Sequence, residues 1–180
     1  FTDPVPFHAV NYPVEVLERI ASWNKFTEAY GAYLYYSNHA YVIADYNYSD
    51  LSLSNTTGIY AKLKRRWDKR TRRMDALIVD LVNYGSTIDL RWDAVNAAPQ
   101  TKAVEVSFTL PDNVTPTDLC CITLEESRKV DYTREGTKIR VSLPSLDTFA
   151  TLVLNLNNTV GMPQEPGKEA VTFDLFPFQY

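Results

Sequence analysis

Two hydrophobic periods divide the chain. In residues 13–36 apolar side chains recur every three or four positions, at Val16, Ile20, Trp23, Phe26 and Tyr30, with Leu17, Ala21 and Leu34 widening the stripe. That spacing gathers side chains on one face of an α-helix. Pro13 falls where a helix can start without its N–H, and Glu15 and Glu18 follow near the positive end of the helix dipole. The pattern predicts one long amphipathic helix.

Beyond it the period drops to two. Residues 37–57 are rich in Tyr, Ser and Asn and read as a long connection, with a short strand at 41–44 and turn chemistry over 52–58. Ile59, Ala61 and Leu63 then alternate with Tyr60, Lys62 and Lys64. Asp68-Lys69-Arg70 gives a turn, and the β-branched run 76–82 follows, so a hairpin is preferred to a basic helix. Residues 103–110 alternate cleanly, 118–125 are extended, Glu135-Gly136 turns, and 138–143 alternate again. Pro144-Ser145 reads as another turn before a last strand at 149–156, with Leu152, Leu154 and Leu156 on one side. Short strands with regular turn signals predict a mainly β fold, an antiparallel β-sandwich preceded by one long N-terminal helix. The expected division is a helical lead-in and long connection over 1–57, the sandwich over 58–156, and a tail over 157–180 that adds an edge strand or docks on a neighbouring unit.

At 180 residues the chain is long enough to bury a core, and 45% apolar with 22% charged residues favours neither disorder nor a membrane class. A net charge of -4 argues against a nucleic-acid binder. The Lys and Arg cluster between Lys62 and Arg73 is therefore expected to be the solvated face and tip of the hairpin. No run of 18 apolar residues exists to span a bilayer. The start at Phe1, without Met or leader, reads as a processed, truncated or internally cut terminus. Adjacent Cys120 and Cys121 should point to opposite faces of a strand, one thiol buried and one outward, with no metal-site spacing. Four Asn-x-Ser/Thr triplets, at Asn47, Asn55, Asn113 and Asn157, are too short a pattern to imply glycosylation.

Catalytic chemistry is not evident. A retaining glycosidase needs two carboxyls about 5–5.5 Å apart, and Asp45 with Asp50, Asp80 with Asp89, and Glu125 with Glu126 each read better as turn or strand-surface acids. Two histidines, His8 and His39, leave a zinc site short of ligands, and no phosphate loop or nucleophile elbow is present. An independent enzyme is not expected, and no cofactor is implied. The twelve tyrosines and 13% aromatic content suit strands and also sugar-facing surfaces, since a planar ring offers an apolar face to pyranose C–H groups. Trp92, with Asp93 and Asn96 nearby, is the leading candidate for such contact, followed by Trp67, Tyr46 and Tyr48. Packing over the end of the sandwich is the competing role for Trp92.

The Ile59-Tyr60 strand entry, the charged hairpin, Leu81-Val82-Asn83, and Trp92, Ala94, Asn96 and Pro99 resemble the C-terminal β-domain of glycoside hydrolase family 66. That family comprises dextranases and cycloisomaltooligosaccharide glucanotransferases. Ile139, Val141, Leu143-Pro144, Leu146 and Phe149 are similar to its closing strands, and residues 23–30 to the helix leaving its catalytic barrel. Arg91 precedes Trp92 and Asp93 follows it, whereas Arg follows Trp in the family. The resemblance implies a non-catalytic ancillary module of an α-glucan-degrading enzyme. Its partner would be the catalytic barrel of the same parent chain, or polysaccharide, and its location secreted, periplasmic or at the cell surface. Such a module should carry an apolar patch on the helix. The alternatives are a stand-alone carbohydrate-binding sandwich and a surface or adhesion protein without sugar specificity.

Overall fold

A computed structural model describes residues 13–34, 40–46, 48–54, 57–85 and 99–157. Helix α1 (Val14–Leu34) leads into β1 (Tyr41–Asp45), a single 3-10 turn (Tyr48–Asp50) and β2 (Ser52–Leu53). The hairpin β3 (Ile59–Asp68) and β4 (Arg73–Asn83) follows, then β5 (Lys102–Thr109) and β6 (Thr115–Ile122). Two short strands, β7 (Ser127–Lys129) and β8 (Thr133–Glu135), precede β9 (Lys138–Leu146) and β10 (Phe149–Asn157). A six-stranded sheet runs β1-β3-β4-β10-β6-β7 and a four-stranded sheet β2-β5-β9-β8, and every pair is antiparallel. The two sheets form an unclosed, sandwich-like pair with one helix. Strands β1 and β2, drawn from the 1–57 segment, pair into both sheets.

Alternation decides which side chains meet. Leu77, Val79 and Leu81 of β4 and Leu152 and Leu154 of β10 face Val104, Val106 and Phe108 of β5 and Ile139, Val141 and Leu143 of β9 across the inter-sheet core. The intervening residues of the large sheet, Ala76, Ile78 and Val153, form a second cluster with Ile43, Ile122 and Phe26 of α1. Strand β4 is thus buried on both faces, which is why its sequence is a nearly continuous apolar run.

Two expected turns are strands. Ser52–Leu53 pairs with β5, Ser52 opposite Ser107 and Leu53 opposite Val106, because the polar Ser52 stays outside while Leu53 packs on the core. Pro144 and Ser145 continue β9 as exposed residues beside a register shift between Lys102 and Val104 of β5, where an irregular ladder tolerates a missing N–H. Pro116 in β6 sits likewise at a register shift, between Leu154 and Leu156 of β10.

The basic hairpin also differs from expectation. Its tip, residues 69–73, is exposed as expected, but around Lys64 and Arg66 the even-numbered face lies beneath α1, and these two residues are 3% and 6% exposed. Each cation meets an acid on a neighbouring strand: Lys62 and Asp45 at 2.9 Å, Lys64 and Asp80 at 2.5 Å, and Arg66 and Asp75 through two parallel bonds of 3.0 and 2.9 Å. A desolvated cation must be paired, and cross-strand register supplies the acids. Lys64 also donates to the Tyr33 carbonyl in the last turn of α1 at 3.3 Å, where the helix dipole is negative. The Arg66 guanidinium lies 4.1 and 4.3 Å from the Tyr33 and Tyr41 ring centroids.

Candidate functional site

Among the described residues are three surfaces: an aromatic cluster at the β1–β3 edge, the outer half of α1, and the solvent face of the small sheet. At the first, the structure brings together two of the sequence candidates. The Tyr46 N–H donates to the Leu63 carbonyl at 3.0 Å, fixing Tyr46 beside β3. Alternation along β3 places Trp67 on the core side with Leu63 and Arg65, and the bulge opposite, at Asp75 of β4, brings Met74 to that side as well. The Arg65 guanidinium carbon then sits 6.0 Å from the Tyr46 centroid and 5.2 Å from that of Trp67.

The Arg65 Nε is buried and has no hydrogen-bond partner among the described residues, so the two ring faces are its visible compensation. Burial first, then the charge of Asp50, pushes the Tyr46 hydroxyl above its ordinary range against the opposing pull of Arg65. Tyr46 and Trp67 are both half-buried against the inter-sheet core, so neither is a free-standing aromatic platform. Tyr48 opens the 3-10 turn, and Trp92, Asp93 and Asn96 lie outside the described residues.

The second surface belongs to α1. Its C-terminal half packs on the large sheet through Phe26, whose ring lies 5.5 Å from Trp23, 5.4 Å from Tyr30 and 5.6 Å from Phe149, with Tyr33 and Leu34 alongside. Toward its N-terminus the helix leaves the sheet, Trp23 still meeting Phe149 of β10 edge-on with ring centroids 6.2 Å apart. Val14, Val16, Leu17, Ile20 and Trp23 are 65, 38, 49, 46 and 44% exposed. The predicted stripe is therefore real along the helix, but only Phe26 of α1 is fully buried.

The third surface carries residues that no motif singles out. Glu105, Ser107, Arg140 and Ser142 occupy the polar half of the β5 and β9 alternation and line a cleft. The signal was present as the outward positions of two clean strands, but pairing of β5 with β9 is needed to bring them together.

Other candidates take structural places. Asn83 is buried, and its Nδ2 donates to the carbonyls of Gln100, Leu146 and Asp147 at 2.9, 3.2 and 2.7 Å. Asp45 and Asp80 are tied to strand lysines, Asp80 also accepts from the Thr151 hydroxyl at 2.9 Å, and Glu126 pairs with Arg128 at 3.1 Å. Cys121 faces the inter-sheet core while Cys120 lies half-buried on the other face, 3.7 Å from Asp118, and both are free thiols. Among the described residues no three His, Cys, Asp or Glu side chains are grouped to hold a metal ion. No described helix is long and apolar enough to cross a membrane.

No protein-family model matches the chain. No curated protein matches it either. Among solved structures, it is similar to a cycloisomaltooligosaccharide glucanotransferase of Paenibacillus sp. complexed with cycloisomaltoheptaose, with a TM-score of 0.60 and 14% identity. That alignment covers 78% of this chain and 21% of the transferase. A partial likeness extends to α-L-fucosidase isoenzyme 2 from Paenibacillus thiaminolyticus, with a TM-score of 0.43, 18% identity, and 61% and 16% of the two chains covered. At such identity the first likeness is one of fold, and this chain spans about a fifth of that transferase's length.

Proposed function

We propose that this chain is a non-catalytic support module of a larger carbohydrate-active enzyme, docked through the outer half of α1 against the catalytic barrel of the same parent chain. The observation that carries the reading is the apolar face of Val16, Leu17, Ile20 and Trp23, held in solvent on a helix whose other half is anchored to the sheet. A helix in water gains nothing from Val, Leu, Ile and Trp on one exposed stripe, whereas an interface buries them at about 25 cal/mol per Å2. The shared fold with part of a glucanotransferase supports a covalently linked catalytic unit as the occupant. The residues that resemble glycoside hydrolase family 66, Leu81, Asn83, Trp92 and Pro99 among them, point to a dextranase-like or glucanotransferase-like parent acting on α-1,6-glucan, secreted, periplasmic or at the cell surface.

The test is the intact mass of the native gene product against the 20.5 kDa of this chain. A much heavier product with glucan-cleaving or glucan-transferring activity is expected. A native product of matching mass would end the support-module reading.

A further inference from the structure

The solvent face of the small sheet lies on the opposite side of the sandwich from α1. There a cleft of about 740 Å3 runs from residues 52–54 across β5 and β9 to the start of β8, the connection before it, and Arg128 and Lys129 of β7 at the edge of the large sheet. Its size falls within the range of small-ligand sites, about 300–1,000 Å3. The floor follows from alternation: Val104, Val106, Val141 and Leu143 point into the core, which turns Glu105, Ser107, Arg140 and Ser142 outward. Register sets Glu105 opposite Ser142 and Ser107 opposite Arg140, and the Ser52 and Ser107 hydroxyls lie 2.7 Å apart. Tyr132, half-buried, belongs to the far wall.

The charge in and beside this cleft is balanced. Arg128, Lys129, Lys138 and Arg140 line it together with Glu105 and Asp131. Glu126 and Glu135 pair with Arg128 and Arg140 at 3.1 and 3.2 Å, which brings four cations against four carboxylates. A polyanion would find no cationic excess and two carboxylates in its path. An apolar ligand would strip water from Glu105 and Arg140 without replacing its hydrogen bonds. A neutral polyol fits both conditions, because each hydroxyl donates to carboxylates and accepts from guanidinium, ammonium or serine groups.

We propose that this cleft binds a segment of neutral polysaccharide, giving the module a glycan-holding role besides support. The proposal does not depend on what covers α1, since the β5–β9 floor of the cleft and the exposed half of α1 lie on opposite sheets and can be occupied together.

Affinity electrophoresis through gels containing dextran, soluble starch or mixed-linkage β-glucan, with dextran sulfate as the anionic comparison, tests it. Retardation by at least one neutral glycan is expected. It should weaken at least fivefold in Glu105→Ala/Arg140→Ala and in Ser142→Tyr, which fills the floor, each checked for folding by circular dichroism. Trp23→Ala should migrate as the unsubstituted protein does, so failure of the docking reading stays separate. No retardation by any neutral glycan, retardation by dextran sulfate alone, or equal retardation of the cleft variants would overturn the proposal.

Discussion

Asn83 shows how one side chain can hold several backbones. Three carbonyls, from the start of β5 and from the turn between β9 and β10, accept from its amide, and its Oδ1 accepts from the Gly85 N–H at 3.2 Å. An alanine there leaves these buried groups without partners, so Asn83→Ala should cost about 2–4 kcal/mol in urea unfolding. A loss under about 0.5 kcal/mol would mean that water replaces the amide without penalty. Nearby, a Cβ on Gly58 would fall 1.4 Å from the Gly85 carbonyl oxygen, and Gly58 has a φ of +68°, so glycine is required there twice over. In the sequence Asn83 was visible only as part of a family likeness, because its partners are 17 to 64 residues away.

The two thiols make a pH-dependent prediction at the same scale. Burial raises both, with Asp118 adding to the rise at Cys120, so each holds less thiolate near neutrality than a free cysteine. Iodoacetamide should therefore modify Cys120 more slowly than a model thiol at pH 8, the rate climbing about tenfold per pH unit until the raised pKa is passed. Cys121, in the core, should react only on unfolding. Mass spectrometry of labelled peptides distinguishes the two, and equal rapid labelling at pH 8 would contradict the burial of both. Opposite-facing thiols were readable from strand period alone; the neighbouring Asp118 follows from the same period, two residues back on the same face.

Among the elements, α1 joins two unlike halves. Phe26→Ala should cost about 3–4 kcal/mol, because it removes the ring on which Trp23, Tyr30 and Phe149 converge. Val16→Glu with Ile20→Glu should shift stability of the 180-residue chain by less than about 0.5 kcal/mol each, since neither side chain packs on the sheet. Similar losses in both variants, followed by thermal unfolding, would show that the outer half is also anchored. Periodicity located the helix to within two residues at its C-terminal end, but it cannot tell a stripe that is buried from one that awaits a partner. Strands β7 and β8 escaped notice for a related reason. Every residue in both is exposed, so no apolar alternation exists to reveal them.

For the whole molecule, the sandwich-like class and most strands were legible because β5 and the first part of β9 alternate cleanly, while β4 and β10 are runs buried on both faces. The sheet order was not, since β10 inserts between β4 and β6, a pairing set by packing rather than by local text. Nor was the burial of the basic hairpin face. Its cations read as solvated until the helix above and the acids beside them are placed, and Arg66 then has its pKa lowered by burial but raised further by Asp75, for a net upward shift. A support role for this architecture requires that the outer half of α1 be covered in the native product. Amide hydrogen exchange over residues 14–25, compared between the 180-residue chain and the native gene product, measures that coverage. The account predicts at least tenfold slower exchange there in the native product, with the sandwich strands unchanged. Equal exchange in both would contradict it.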